Sequence, residues 1–137
     1  MIRVVVGLLT DDDAGQVLLN RRRRGTHMAG KWEFPGGKIR PDEPAFVALQ
    51  RELAEELAIA VQAAKPFLNL THDYSDRRVN LDVWLVEAYA GVPLGNEGQD
   101  LRWAHVNEIS SFDLLAADAP IVAALRSHFF GQQEGRG

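Results

Sequence analysis

Three glutamates, Glu52, Glu55 and Glu56, stand at i, i+3 and i+4 in the stretch "GGKIRPDEPAFVALQRELAEELAI", residues 36–59, with Arg51 beside the first and Gly36-Gly37 upstream. Like charges at these spacings share a helix face and destabilise it slightly. Positions 56, 59 and 60 carry no lysine or arginine to pair with them, so a solvated face laced with ion pairs is a poor account. Three carboxylates so placed can instead converge on divalent cations. The chain has no cysteine, which leaves oxygen and imidazole donors, and carboxylates favour hard ions such as Mg²⁺ or Mn²⁺. A flexible turn at Gly36-Gly37 would bring a backbone carbonyl close. Arg51 would brace one carboxylate from behind.

These groups need a helix to hold them, and residues 44–58 give the strongest helical signal in the chain. Asp42 is the expected N-cap, and Pro44 suits the first turn, where a missing N–H does no harm. At about 100° per residue, Phe46, Leu49, Leu53 and Leu57 form one apolar stripe. The three acids border it, at the edge of the buried face.

Around this helix the chain reads mostly as strand. "IRVVVGLLT" and "QVLLNR" flank the turn "DDDAG" and predict a hairpin, and "KWEFP" predicts a short strand ended by Pro35 and the glycine pair. "FLNLTHDY" and "RVNLDVWLVEAYAG" predict two strands around a turn at 75–78. In the second, Val79, Leu81, Val83 and Leu85 alternate with Asn80, Asp82 and Trp84. "GVPLGNEGQD" reads as loop, "LRWAHV" as a strand, and "APIVAALRSHFF" as a second helix capped by Asp118. The order predicts one α+β domain over residues 1–131, with a frayed tail at 132–137.

Composition narrows the function. The net charge of −4 argues against a general nucleic-acid coat, because duplex binding draws on a basic surface. No apolar run reaches the roughly 20 residues of a membrane span, and "MIRVVVGLLT" leads straight into three aspartates, unlike a signal peptide. A cytoplasmic protein is expected. Two basic clusters, "RRRR" at 21–24 and "DRR" at 76–78, stand out in this acidic chain.

Gly37, five residues, Glu43, seven residues, then "RELAEELAI" from Arg51 to Ile59 resembles the Nudix box, G-x5-E-x7-R-E-U-x-E-E-x-G-U, with U a bulky apolar residue. Every charged position is present. The one departure is Ala58 in place of glycine, at a helix exit where glycine commonly takes a left-handed conformation. "HMAGKWEFPGGK", the "DRR" turn, "LVEAYAG", "GNEGQ" and "AADAPIVAAL" extend the likeness to the MutT-type members, which remove oxidised guanine nucleotides such as 8-oxo-dGTP.

The resemblance implies a Nudix α/β/α sandwich with a mixed sheet between helices. It also implies attack of water on the β-phosphorus of a nucleoside triphosphate, releasing a nucleoside monophosphate and pyrophosphate. Glu52, Glu55, Glu56, Glu97 and the carbonyl of Gly36 are the implied ligands of Mg²⁺, with Mn²⁺ as a substitute. A triphosphate set against these acids needs such cations, which bridge carboxylate to phosphate and acidify water. Glu97 is either a further ligand or the base. Arg51 completes the catalytic set. Arg22, His27, Phe34, Lys38, Arg77 and Asp118 match substrate positions, His27 as either a structural or a substrate-proximal residue. Trp32 reads as packing. Asp118 reads as a helix cap, a base-contacting group, or both. An ionised aspartate only accepts hydrogen bonds, so it suits guanine's N1/N2 edge or cytosine's amino group and donates to guanine O6 only when protonated. Two alternatives to an 8-oxo-dGTP diphosphatase stand beside it: a hydrolase of CTP or modified dCTP, and a non-catalytic nucleotide-sensing module. The expected partner is a small nucleotide, with no membrane or stable nucleic-acid binding, and a monomer or weak dimer.

Overall fold

The computed structural model describes residues 1–26 and 28–134, with the side chains of the last helix described through Phe130. In chain order the elements are β1 (Ile2–Asp11), β2 (Gln16–Arg21), β3 (Trp32–Glu33), β4 (Gly36–Lys38), α1 (Ala45–Leu57), β5 (Ala60–Asp73), β6 (Arg78–Ala90), β7 (Leu101–His105) and α2 (Ala119–Glu134). β1 organises the sheet. It runs parallel to β6 and antiparallel to β4, and its last residues pair with β2 as the expected hairpin. β5 lies antiparallel outside β6, while β2 carries β3 and β7. The sheet is mixed, as the family resemblance implies.

Alternating side chains send two cores to opposite faces of the sheet. Val6 and Leu8 of β1 join Val79, Leu81, Val83 and Leu85 of β6 under Ile121, Leu125 and Phe129 of α2. Val5 and Leu9 face the other way, against Ala48, Leu49, Leu53 and Leu57 of α1. Phe46 packs at the margin of this second core, 5.9 Å from the Trp84 ring. Gly7 lies beneath α1, where a Cβ would come within 2.9 Å of the Leu53 side chain. Its bareness lets the helix settle on the strand.

Several boundaries differ from the sequence expectations. Gly36 and Gly37 do not form a turn; they pair with Val6 and Val5 in β4. Glycine is needed here for closeness, because a Cβ on Gly36 would strike the Val5 carbonyl and one on Gly37 would strike the Glu52 carboxylate. The N-cap of α1 is Pro44, in extended backbone, while Asp42 occupies a left-handed turn at φ 63°. Ala58 ends the helix with φ 57° and ψ 35°, the conformation usually left to glycine. β5 starts seven residues before the expected Phe67, passes through Pro66, and shifts register near Val61, Ala63 and Pro66. A one-turn 3₁₀ segment, Ala116–Asp118, precedes α2, which continues to Glu134. Among the described residues, no helix is long and apolar enough to cross a membrane.

Candidate active site

Four segments meet beside the middle of the sheet: the C-terminal half of α1, the end of β2, the stretch from β3 to β4, and the loop between β6 and β7. Asn20 shares the α1 side of β2 with Leu18, two residues earlier, and so faces the helix. Its Nδ2 donates to Glu56 Oε1 at 2.6 Å, and the Gly36 N–H donates to Glu56 Oε2 at 3.1 Å. Glu56 is buried, at 7% exposure. Burial pushes its pKa up to about 8, the neighbouring Glu33, Glu97 and Glu52 add to that rise, and the Gly36 N–H opposes it.

Arg51 organises the outer acids. Nε and Nη2 clasp Glu43 at 2.9 and 2.8 Å, Nη1 donates to Glu52 Oε1 at 2.7 Å, and Nη2 reaches the Lys38 carbonyl at 3.0 Å. Nη1 also lies 3.7 Å from Glu55 Oε2. The hydrogen bonds from Arg51, and the Arg40 N–H, hold the Glu43 carboxyl down at about 2. The guanidinium's own pKa rises in return, chiefly through its bonds to Glu43. Arg51 thus fixes how Glu52 is presented from one side of the helix.

The cleft is lined by Asn20, Glu33, Gly36, Glu52, Glu56 and Glu97 together with Arg21, Arg22 and Arg23. Glu55 is not among its walls; its side chain is 54% exposed, beside Arg51. Among the described residues, no three carboxylates or imidazoles converge into a ready-made cation site; Arg51 holds Glu52 Oε1, and Asn20 and the Gly36 amide hold the two Glu56 oxygens. The donor set still suits a hard divalent ion. Glu56 lies among carboxylates that resist its ionisation, and a cation between them would remove that conflict. The bare Cα of Gly37 gives Glu52 room to lie against β4.

A second cavity, of about 360 Å³, opens on the far side of Arg22, Glu33 and Gly36, which line both spaces. Its walls include Phe34, Lys38, Tyr74, Arg77, Leu81 and Asp118. Arg22 binds both Glu33 oxygens, at 3.2 and 3.1 Å, on the boundary between the two. Arg77 packs its guanidinium over the Tyr74 ring at 5.8 Å. Among the described residues, Arg77 Nε and Asp118 Oδ2 are buried without hydrogen-bond partners. Burial raises the Asp118 pKa to about 8 and Glu33 adds to the rise, against the Phe34 N–H and Arg22. Asp118 therefore holds a proton far more tightly than a free aspartate does. Phe34, at 3% exposure, belongs both to the core and to the cavity wall. Trp32 packs edge-on against Phe112 with centroids 5.5 Å apart.

The structure therefore gathers Glu52, Glu56, Glu97 and Gly36 in one space and Phe34, Lys38, Arg77 and Asp118 in the adjoining one, with Arg22 between them. His27 lies outside the described residues. Sequence reasoning passed over three polar residues here: Asn20, Glu33 and Gln99. Each left a trace in the sequence, as an amide ending the apolar run "VLLN", an acid between aromatics in "WEF", and the last residue of "GNEGQ".

The chain is similar to known proteins in sequence and in fold. The family model described as NUDIX domain matches residues 5–124. An 8-oxo-dGTP diphosphatase of Escherichia coli K12 is 36% identical over 91% of this chain and 96% of its own length. A CTP pyrophosphohydrolase of the same organism is 36% identical over 90% of each. Among solved structures, one from a study of MutT from Aliivibrio salmonicida and Vibrio cholerae superposes with a TM-score of 0.81 at 30% identity, covering 93% of this chain and 98% of that one. The E. coli ORF135 protein gives 0.80 at 35% identity, with coverage of 93% and 89%.

Proposed function

Because the chain belongs to the NUDIX family, we propose that it hydrolyses 8-oxo-dGTP, with dGTP as a second substrate, to the nucleoside monophosphate and pyrophosphate. In this reading residues 1–131 form one catalytic domain, a cytoplasmic enzyme acting as a monomer or weak dimer. One observation carries it: the acidic cleft and the partly apolar cavity lie side by side, with Arg22, Glu33 and Gly36 lining both. A nucleoside triphosphate needs that pairing, with a place for anionic oxygens and a drier place for the base.

Glu52, Glu55, Glu56, Glu97 and the Gly36 carbonyl would hold Mg²⁺, or Mn²⁺ in its place. Such an ion supplies charge neutralisation between carboxylate and phosphate and acidifies water. The chain's own groups do the rest. Arg51 keeps Glu52 oriented, and a carboxylate of the cleft takes the proton of the attacking water. Water oxygen bonds to the β-phosphorus and the bond from that phosphorus to the α–β bridging oxygen breaks. The bridging oxygen leaves with the nucleoside monophosphate. Lys38 and Arg22 provide positive charge for the phosphates. Phe34 and Arg77 wall the base pocket.

Asp118 supports the choice of base. A protonated carboxyl both donates and accepts, as the neighbouring O6 and N7–H of 8-oxoguanine require. Ionised, it only accepts, which suits the amino group of cytosine, and the 36% identical CTP pyrophosphohydrolase keeps that reading as the second. A kinetic panel of oxidised and plain nucleoside triphosphates, with Mg²⁺ and with Mn²⁺, tests the proposal. The highest kcat/KM is expected for 8-oxo-dGTP; a preference for CTP or modified dCTP would overturn it in favour of the second reading. No turnover of any nucleotide would leave a sensing module.

A further inference from the structure

Arg23 is a member of the four-arginine run to which the nucleotide reading gives no task, and Gln99 is a buried amide at 8% exposure. Both end on the same loop residue. Gln99 Oε1 accepts from the Glu97 N–H at 2.9 Å, while its Nε2 donates to the Glu56 carbonyl, also at 2.9 Å. Arg23 Nη1 donates to the Glu97 carbonyl at 3.1 Å. The backbone of Glu97 is therefore held on both sides, at its amide by Gln99 and at its carbonyl by Arg23, and its residue lines the cleft with Glu56. Gly95 makes the tight loop possible, since a Cβ there would strike the Gln99 carbonyl.

Capping the end of α1 does not require this arrangement. The Asn96 N–H already donates to the Glu56 carbonyl at 3.1 Å, Asn96 Nδ2 to that of Glu55 at 2.9 Å, and the Leu94 N–H to that of Leu57 at 2.9 Å. Loss of the Gln99 donor would leave no orphaned carbonyl at the helix end. What Gln99 adds is a direct link between the Glu56 carbonyl and the Glu97 amide. Fixed placement of a group that acts in the chemistry is worth more than the stability of the bonds that provide it.

We infer that Gln99 and Arg23 are positioning residues that hold Glu97 over the cleft at a set distance from Glu56. The inference rests on the reading of Glu97 as an acid of the active site. A double-mutant cycle separates the two. Gln99→Met keeps the length and removes the amide; Arg23→Met removes the carbonyl clip together with a positive charge on the cleft wall. Each is expected to lower kcat by about 10- to 100-fold with KM changed much less, and to weaken Mn²⁺ binding measured by calorimetry without nucleotide. Arg23→Lys, which keeps a donor, should restore part of the loss. In a Glu97→Gln background, Gln99→Met and Arg23→Met should add little further.

Losses that multiply in the Glu97→Gln background would overturn the positioning role while leaving Glu97 an active-site acid. Normal turnover of Glu97→Gln by itself would remove the reading of Glu97, and the inference with it. An effect of Arg23→Met on KM alone would make Arg23 a source of attraction for the nucleotide and no more. Where Gln99→Met fails to fold, as seen by circular dichroism, the Arg23 cycle decides the question.

Discussion

Glu55 and Asp118 are carboxyls in opposite surroundings. Glu55 is half in water and pairs loosely with Arg51, so Glu55→Gln should leave the melting temperature unchanged. If it reaches the ions, kcat should drop by roughly 10²-fold or more, and near-normal turnover would remove it from the metal set. Asp118 is enclosed, and its pKa stands at about 8 against an ordinary 3.8. The folded protein thus binds this proton more tightly than the unfolded chain does. The favourable contribution is complete below the ordinary value and is lost as pH rises toward about 8. Asp118→Asn, neutral at every pH, should raise the melting temperature at about pH 9 and change it little near pH 4. Equal effects at both pH values would show that the carboxyl is not protonated in the fold. At this scale the sequence conveyed the charged groups of α1, because their spacing is a helical periodicity written in full. Asn20 and Glu33 stayed hidden because their partners, Glu56 and Arg22, lie 36 and 11 residues away. Only folding brings each pair together.

At the level of elements, α1 was legible from its apolar stripe and β6 from its two-residue alternation, since both periods follow from backbone geometry. The glycine pair was not. Bareness serves a turn and a close approach equally well, and the choice depends on Val5 and Glu52, which no local pattern announces. Ala58 carries a related lesson. It adopts the left-handed conformation despite its Cβ, so the position favours glycine. Ala58→Gly should stabilise the protein by about 1 kcal/mol, raising the melting temperature by about 3–5 °C with kcat unchanged. A fall in melting temperature would mean that the helix leaves by another route.

Across the whole molecule, the sheet separates two hydrophobic cores, and the cleft forms where loops from the α1 side pass the end of β2. Topology of this kind was accessible to sequence reading only through family likeness, since element order alone does not say that β1 lies parallel to β6. The border strand β5 has a consequence for life at high concentration. Proline brings no amide hydrogen, and the steps in register around Pro66 and Ala63 interrupt the flat repeat that an incoming strand would copy. Such a margin resists extension by a neighbour, so sedimentation at rising protein concentration should show no open-ended growth of strand-linked assemblies. Replacing Pro66 with valine should turn that frayed hem into a seam and let copies zip together.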